Sequence, residues 1–102
     1  MTNILIADDH DLVRDTIAAY LETVDSFKVF TAHDLASALE VMSGVDSMDL
    51  LILDYNMPGM NGLQGLERAC TSYPATKVAL MSGVANREIA NNAMERNARG
   101  FI

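Results

Sequence analysis

The sequence has few of the residues that mark secreted, membrane or nucleic-acid-binding proteins. It contains one cysteine, Cys70, so an internal disulfide is excluded and a cytoplasmic location is expected. No apolar run approaches the roughly 18 residues of a membrane span, and Met1-Thr2-Asn3 lacks the basic lead of a signal peptide. Seven basic residues against fourteen acidic ones leave a net charge of −7, which disfavours direct contact with nucleic acid.

What is present is enough for one globular domain. A chain of 102 residues predicts a single domain over residues 1–102, and 50% hydrophobic with 21% charged residues is ordinary for a folded protein. The charge is unevenly spread, since residues 1–54 hold eleven of the fourteen acidic side chains and two of the seven basic ones. Carboxylates are therefore concentrated in the first half of the chain.

Short apolar runs alternate with helical patterns along the whole sequence. The runs are continuous rather than alternating, which indicates strands covered on both faces, as in a parallel sheet. They are residues 4–7, 27–32, 50–53, 78–81 and 100–102. Helical crossovers between them predict an open α/β fold, with a five-stranded parallel sheet and helices on both faces.

The helical segments have predictable ends and faces. Asp11 is expected to cap the first helix and Asp34 the second, which should end at Gly44. A fourth helix is expected to begin at Asn86. The spacing of apolar residues predicts that the first helix has one buried face, formed by Val13, Ile17, Tyr20, Leu21 and Val24.

Polar residues follow three of the predicted strands. Asp8, Asp9, Asp54 and Ser82 all stand at carboxyl ends, and ligands of open parallel sheets bind at that edge. Three carboxylates brought together repel unless a cation neutralises them, and an all-oxygen site with few carboxylates suits Mg²⁺. His10 and His33 have no zinc-motif spacing and Cys70 is alone, so transition-metal chemistry is not expected.

Such a site could carry out phosphoryl transfer. Asp54 fits a carboxylate nucleophile, Asp8 and Asp9 fit a metal site, and the Ser82 hydroxyl fits a donor to a phosphoryl oxygen. Taken singly, these residues also have structural explanations: Asp9 could cap a helix, Ser82 could be a turn residue, and the histidines could be solvated or locally bonded. Capping does not explain aspartates that converge on one edge.

The residues resemble the receiver domains of two-component response regulators. The motifs that carry the resemblance are Ile4-Leu5-Ile6-Ala7-Asp8-Asp9-His10, residues 51–62 (Leu-Ile-Leu-Asp-Tyr-Asn-Met-Pro-Gly-Met-Asn-Gly), residues 78–83 and residues 98–102. Leu12-Val13-Arg14 after the first motif is similar to the NarL/LuxR-type subfamily. The resemblance spans nearly the whole chain and implies a flavodoxin-like sheet in the order 2-1-3-4-5.

The resemblance also implies roles for individual residues. Asp54 would accept a phosphoryl group from a sensor histidine kinase or phosphotransfer protein. Asp9 and Asp54 would bind Mg²⁺ directly, Asp8 through water, and Asn56 through its backbone carbonyl. Ser82 would then hydrogen-bond the phosphoryl group and Phe101 would rotate inward, which changes the surface of the fourth helix and fifth strand. The expected output is transcription regulation by a DNA-binding domain beyond these residues, and the chain itself is not expected to be an enzyme.

Members of that family carry a lysine two residues beyond the Phe-Ile pair and a fifth helix, and residues 1–102 stop before both. We therefore expect a C-terminally incomplete receiver domain with weakened switching. An uncovered apolar strip beside the first helix would favour a homodimer or an exchange of elements between copies, or would be covered by the natural continuation of the chain. Asn61 stands where many relatives have aspartate, outside the expected metal site.

Two alternative functions stay open at this point. One is a Mg²⁺-dependent phosphatase of the haloacid dehalogenase type, which needs a general-acid aspartate two residues after the nucleophile; Asn56 stands there instead. The other is a degenerate receiver that serves only as an interaction or dimerisation module. The intact Asp8, Asp9, Asp54 and Ser82 argue against that loss.

Overall fold

The computed structural model describes residues 1–81, 92, 94–96 and 98–101, with the backbone alone for the last two. Ser82 and most of the helix predicted from Asn86 lie outside the described residues. Strands and helices alternate as the apolar runs predict. In chain order they are β1 (Thr2–Ala7), α1 (Asp11–Glu22), β2 (Phe27–Ala32), α2 (Leu35–Ser43), β3 (Leu50–Asp54), α3 (Gln64–Ser72), β4 (Lys77–Met81) and β5 (Gly100–Phe101).

The strands of the described residues form one parallel sheet in the order β2-β1-β3-β4-β5. In β1, Ala7 pairs with Ala32 of β2 on one side and with Leu53 of β3 on the other. The two-residue β5 lies beside β4, with Gly100 opposite Ala79. The predicted open parallel α/β class is confirmed, and the order reverses between β1 and β3.

The sheet is covered on both faces because successive residues of its inner strands point to opposite sides. Ile4 and Ile6 of β1 pack with Ile52 of β3 and Ala18 of α1 in one core. Leu5 and Ala7 point the other way, into a larger core that α2 and α3 cover. That core includes Leu35, Ala38, Met42, Leu51, Leu53, Leu66, Ala69, Val78 and Leu80.

Helix α1 differs from its prediction at its start and on its buried face. The N-cap is His10, so Asp11 is the first helical residue and not the cap. The sheet-facing side centres on Ala18, with Ile17 and Leu21 half-buried beside it. Tyr20 is 74% exposed because it projects from the flank of the helix, and Val13 and Val24 are also exposed. The apolar spacing identified the helix and two residues of its contact face, Ile17 and Leu21, whereas the other three residues predicted on that face are exposed.

Helix α2 begins and ends where the sequence predicts. Asp34 is its N-cap: its Oδ1 accepts the Ser37 backbone N–H at 2.7 Å, and the Ser37 Oγ accepts the Asp34 N–H at 3.2 Å. This reciprocal pair satisfies two amide groups that the first turn leaves unpaired. The helix ends before Gly44, which is its C-cap.

The loop that follows Asp54 is anchored in the hydrophobic core. Met57 and Met60 are buried in the larger core, and the Leu35 N–H donates to the Pro58 carbonyl at 3.1 Å. Gly59 has φ +90°, and a Cβ there would lie 3.0 Å from the Leu35 Cβ. Glycine is required by both its backbone angle and this close approach.

In the part of the chain that the structure describes, no helix combines the length and the apolar character that a membrane span requires.

Candidate metal centre at the carboxyl edge of the sheet

The predicted aspartates converge at one edge of the sheet. Because Ala7 and Leu53 are register partners on neighbouring parallel strands, Asp8 and Asp54 follow them at adjacent positions. Asp8, Asp9, His10 and Asp54 each bring one candidate ligand atom into a group whose members all lie within 4.8 Å of one another. The convergence that the sequence analysis predicted for the three aspartates is confirmed.

Two of these carboxylates are buried and one lies at the rim. Asp8 is 2% exposed and Asp54 is 5% exposed, whereas Asp9 is exposed. Burial of acidic groups without a matching cation is unfavourable, since the charged form loses its hydration. Among the described residues, two carboxylates of the site are therefore shielded from water and the third, Asp9, lies at the surface.

Backbone groups fix the strand ends that carry the aspartates. The Asp8 N–H donates to the Ala32 carbonyl at 3.1 Å, which extends the pairing of β1 with β2 by one residue. On the other strand the Tyr55 N–H donates to the Met81 carbonyl at 2.8 Å. The Asn56 N–H donates to the Asp54 Oδ1 at 3.3 Å. The Asp54 carboxylate is thus oriented by the first turn of the loop that follows it.

The pKa of Asp54 is raised to about 6. Burial is the main cause, because it penalises the carboxylate form; the hydrogen bond from Asn56 opposes the shift, while the negative charges of Asp8 and Asp9 add to it. Strongly shifted pKa values cluster at functional sites, so this shift supports a functional role for the Asp54 carboxyl group. A bound divalent cation would lower the pKa again, because its positive charge stabilises the carboxylate form.

His10 lies in the same cluster, which the sequence reasoning did not anticipate. Its Nδ1 is 3.0 Å from the Asp8 Oδ1, 3.2 Å from the Asp9 Oδ1 and 3.8 Å from the Asp54 Oδ2. The Asp8 hydrogen bond, followed by the charge of Asp9, raises the pKa of His10. The side chain is 66% exposed, as expected for a solvated histidine, yet its ring faces the acidic group. Its position directly after Asp8-Asp9 was the available signal.

Arg14 is a second residue that sequence reasoning missed. Its guanidinium pairs with Asp11 at 3.0 Å and Asp15 at 3.1 Å, and Nη1 donates to the Asp8 carbonyl at 3.4 Å. Although charged, the side chain is only 14% exposed. It joins the first turn of α1 to the end of β1, so it supports the loop that presents Asp8 and Asp9.

The remaining predicted site residues have different outcomes. Asn56 is exposed and adjoins Asp54 through its N–H, which leaves the role of its carbonyl a prediction. Ser82 and the side chain of Phe101 lie outside the described residues. Asn61 donates to the Gln64 Oε1 at 2.8 Å with φ +51°, as a residue of the turn before α3.

The sheet order and the buried aspartates at its carboxyl edge define a flavodoxin-like α/β domain of the receiver type. The family model described as "Response regulator receiver domain" matches residues 4–102. The chain belongs to the response regulator receiver domain family, and its relatives support the NarL/LuxR-type subfamily. Members of this family are phosphoacceptors of two-component systems rather than enzymes.

Individual relatives agree with that assignment. The "Glycerol metabolism activator" of Pseudomonas putida is 39% identical over 105 residues, which cover 100% of this chain and 47% of that protein. The signal receiver domain of the NarL regulator from Mycobacterium tuberculosis is 35% identical with a TM-score of 0.85, covering 98% of this chain and 81% of that one. A chain of the complex between the P1 domain of CheA3 and CheY6 from R. sphaeroides is 32% identical with a TM-score of 0.81, covering 99% and 80%. The chain spans about half the length of the curated relatives it matches.

Proposed function

We propose that residues 1–102 form a receiver domain in which Asp54 accepts a phosphoryl group from a phosphohistidine. The donor is a sensor histidine kinase or a phosphotransfer protein. The observation that carries the proposal is the position of Asp54: a buried carboxylate at the end of a central strand, within 4.8 Å of the ligand atoms of Asp8 and Asp9. The complex of CheY6 with the P1 domain of CheA3 supports a partner of this kind.

The donor set fits Mg²⁺, with Asp9 and Asp54 as direct ligands, Asp8 acting through water and the Asn56 carbonyl completing the protein ligands. Three carboxylates, two of them buried, leave an excess of negative charge that a hard divalent cation neutralises. When bound, such an ion neutralises charge that develops on the phosphoryl oxygens.

The residues of the chain then have distinct tasks in the transfer. An oxygen of the Asp54 carboxylate attacks phosphorus, so a P–O bond forms while the P–N bond of the donor breaks and the imidazole keeps the electron pair. The Asn56 N–H holds the other carboxylate oxygen, Oδ1, at 3.3 Å and fixes the direction of attack. Asp9 directly and Asp8 through water would hold the cation, whose positive charge would offset the repulsion between the carboxylates and the incoming phosphoryl group.

The response to phosphorylation is the second part of the proposal. Ser82 moves to donate to a phosphoryl oxygen, and Phe101 turns inward behind it. New charge-assisted hydrogen bonds favour one of two arrangements of this edge, which changes the surface formed by the fourth helix and β5.

We propose that this surface controls transcription, that the protein acts in the cytoplasm, and that a homodimer forms beside α1. Sedimentation at high protein concentration tests the homodimer, because a single monomeric species would contradict it.

Labelling with a small acyl phosphate tests the acceptor directly. The wild-type chain is incubated with Mg²⁺ and acetyl phosphate, and its intact mass is measured. We expect a phosphate-sized increase that disappears in Asp54→Asn and is retained in the matched control Asp25→Asn, which removes an exposed carboxylate elsewhere. Labelling that persists in Asp54→Asn contradicts the assignment. An absence of labelling in the wild-type chain favours a degenerate receiver that acts only through binding.

A further inference from the structure

A cavity of about 230 Å³ opens at the amino edge of the sheet, at the end opposite to the acidic group. It lies between residues 45–48, which precede β3, and residues 72–76, which precede β4. A dry apolar cavity of about 150 Å³ holds one benzene ring. The volume at this edge is therefore enough for an aromatic ring that carries a short chain.

Hydrogen bonds hold the two sides of the cavity in place. The Thr76 Oγ1 donates to the Met48 carbonyl at 2.7 Å, which joins one segment to the other. The Thr76 N–H donates to the Tyr73 carbonyl at 3.1 Å, and the Asn3 Nδ2 donates to the Ser47 carbonyl at 2.7 Å. Because both segments are fixed in this way, the cavity is formed before any ligand arrives, as is usual for small-molecule sites.

The cavity has an apolar interior and an acidic mouth. Met42 and Met48, which are buried, line it together with half-buried Val45 and Tyr73. Thioether and aromatic side chains of this kind pack favourably against an aromatic ring. Asp46 is exposed and carries the only charged side chain among the described residues that line the cavity. A ligand would therefore meet apolar side chains at one end and a carboxylate at the other.

Two helix ends add negative potential at the same edge. Helix α2 ends at Ser43 and α3 ends at Ser72, and the last carbonyl groups of a helix together carry about half a negative charge. Neither helix has a basic residue in its last turn to offset that charge. Together with the Asp46 carboxylate, the two helix ends favour a cation at the mouth of the cavity.

We propose that this cavity is a binding site for a small organic cation that carries one aromatic ring on a short chain, such as an arylethylammonium ion. The ring packs between the two methionines and Tyr73, and the ammonium group pairs with Asp46 at the mouth. The inference does not rest on the proposed function, because none of the described residues that line the cavity belongs to the acidic group.

Three probes of similar size and different charge test the site on the whole chain. They are 2-phenylethylammonium, 2-phenylethanol and 3-phenylpropionate, each titrated at low salt into ¹⁵N-labelled protein while the amide shifts are recorded. We expect the cation to shift the amides of Asp46, Tyr73 and Thr76 saturably, with a dissociation constant below about 1 mM. The alcohol should bind about threefold more weakly because it lacks the charge, and the anion should give no saturable shift.

A matched pair of variants tests the role of the carboxylate. Asp46→Asn should weaken binding of the cation about threefold and leave binding of the alcohol unchanged, since an exposed ion pair contributes that much. Asp25→Asn, which removes an exposed carboxylate elsewhere, should match the wild type for both probes. Added salt should reduce the affinity for the cation in the wild type and bring it towards that of Asp46→Asn.

Three outcomes would overturn the proposal. If the ammonium and alcohol probes both fail to saturate, the cavity is not a binding site. If the cation binds equally well to the wild type and to Asp46→Asn, the carboxylate does not select the ligand. If the saturable shifts centre on the amides of Asp8 and Asp54, the cation is held by the acidic group at the other edge of the sheet.

Discussion

Gly65 lies so close to Met60 that a Cβ at position 65 would be 2.6 Å from the Met60 Sδ, 2.7 Å from its Cα and 2.9 Å from its carbonyl oxygen. The Gly65 N–H donates to that same carbonyl at 2.7 Å. Two of the three close atoms belong to the backbone, so a side-chain rotation cannot relieve the contact. Helix α3 therefore packs directly on the loop that leads from Asp54.

We expect Gly65→Ala to destabilise the fold by about 2 kcal/mol, within the range for overpacked cores. The better helix propensity of alanine offsets only part of the strain. Urea unfolding measures the change. Gly44→Ala is the matched control, since a Cβ at Gly44 meets its nearest atom at 3.7 Å, an ordinary contact. Equal midpoints for the two variants would show that the loop and helix can separate without cost.

The raised pKa of Asp54 predicts a pH dependence of stability in the absence of metal. The folded-state pKa is about 6, against 3.8 as the ordinary value, so the folded protein binds the proton more tightly than the unfolded chain. The free energy of unfolding must then fall as the pH rises through this window. Removal of the group by Asp54→Asn should abolish that part of the slope.

Urea unfolding in the presence of a chelator measures the effect at about pH 5 and about pH 7. We subtract the free energy of unfolding of the wild type from that of Asp54→Asn at each pH. From the lower to the higher pH this difference should increase by on the order of 1 kcal/mol. Asp25→Asn should show the same pH dependence as the wild type. A pH-independent difference between Asp54→Asn and the wild type would mean that the carboxyl group of Asp54 has an ordinary pKa.

The contacts of His10 predict its titration in the metal-free protein. The hydrogen bond with Asp8 and the charge of Asp9 raise its pKa above 6.5. An NMR titration of the ring protons should give a higher pKa in the wild type than in Asp8→Asn, because that substitution removes the negative charge that strengthens the hydrogen bond and keeps the shape of the side chain. Asp25→Asn should leave the value unchanged. Identical His10 pKa values in the wild type and Asp8→Asn would contradict the observed contact.

Much of the fold was predictable because its signals are local. The run Leu50–Leu53 indicates a buried strand, and Asp34 with Ser37 forms the capping pair that starts α2. The convergence of Asp8 and Asp54 also follows from local evidence, since parallel neighbouring strands end at one edge. Recognition of strand ends thus sufficed to locate the acidic group.

What sequence reasoning missed depends on orientation rather than on spacing. The exposed position of Tyr20 follows from how α1 rests on Ile4 and Ile6, which the helical period alone does not determine. The direction of the His10 ring depends on its place between β1 and the N-cap of α1. Similarly, the Arg14 contact with the Asp8 carbonyl needs the geometry of the first helical turn. Such features require coordinates because tertiary packing sets them.

The ion pair between Arg96 and Glu67 predicts a small effect despite its short distance. The Arg96 Nε lies 2.6 Å from the Glu67 Oε1, but the two side chains are 40% and 51% exposed. Water and salt screen such pairs, and ordering two long side chains costs entropy, so exposed pairs contribute about 0.2 to 1 kcal/mol. A double-mutant cycle with Glu67→Gln and Arg96→Gln, read by urea unfolding, should give a coupling energy in that range that declines at high salt. A coupling well above 1 kcal/mol, or one insensitive to salt, would show instead that the pair is shielded from solvent and holds residue 96 firmly against α3.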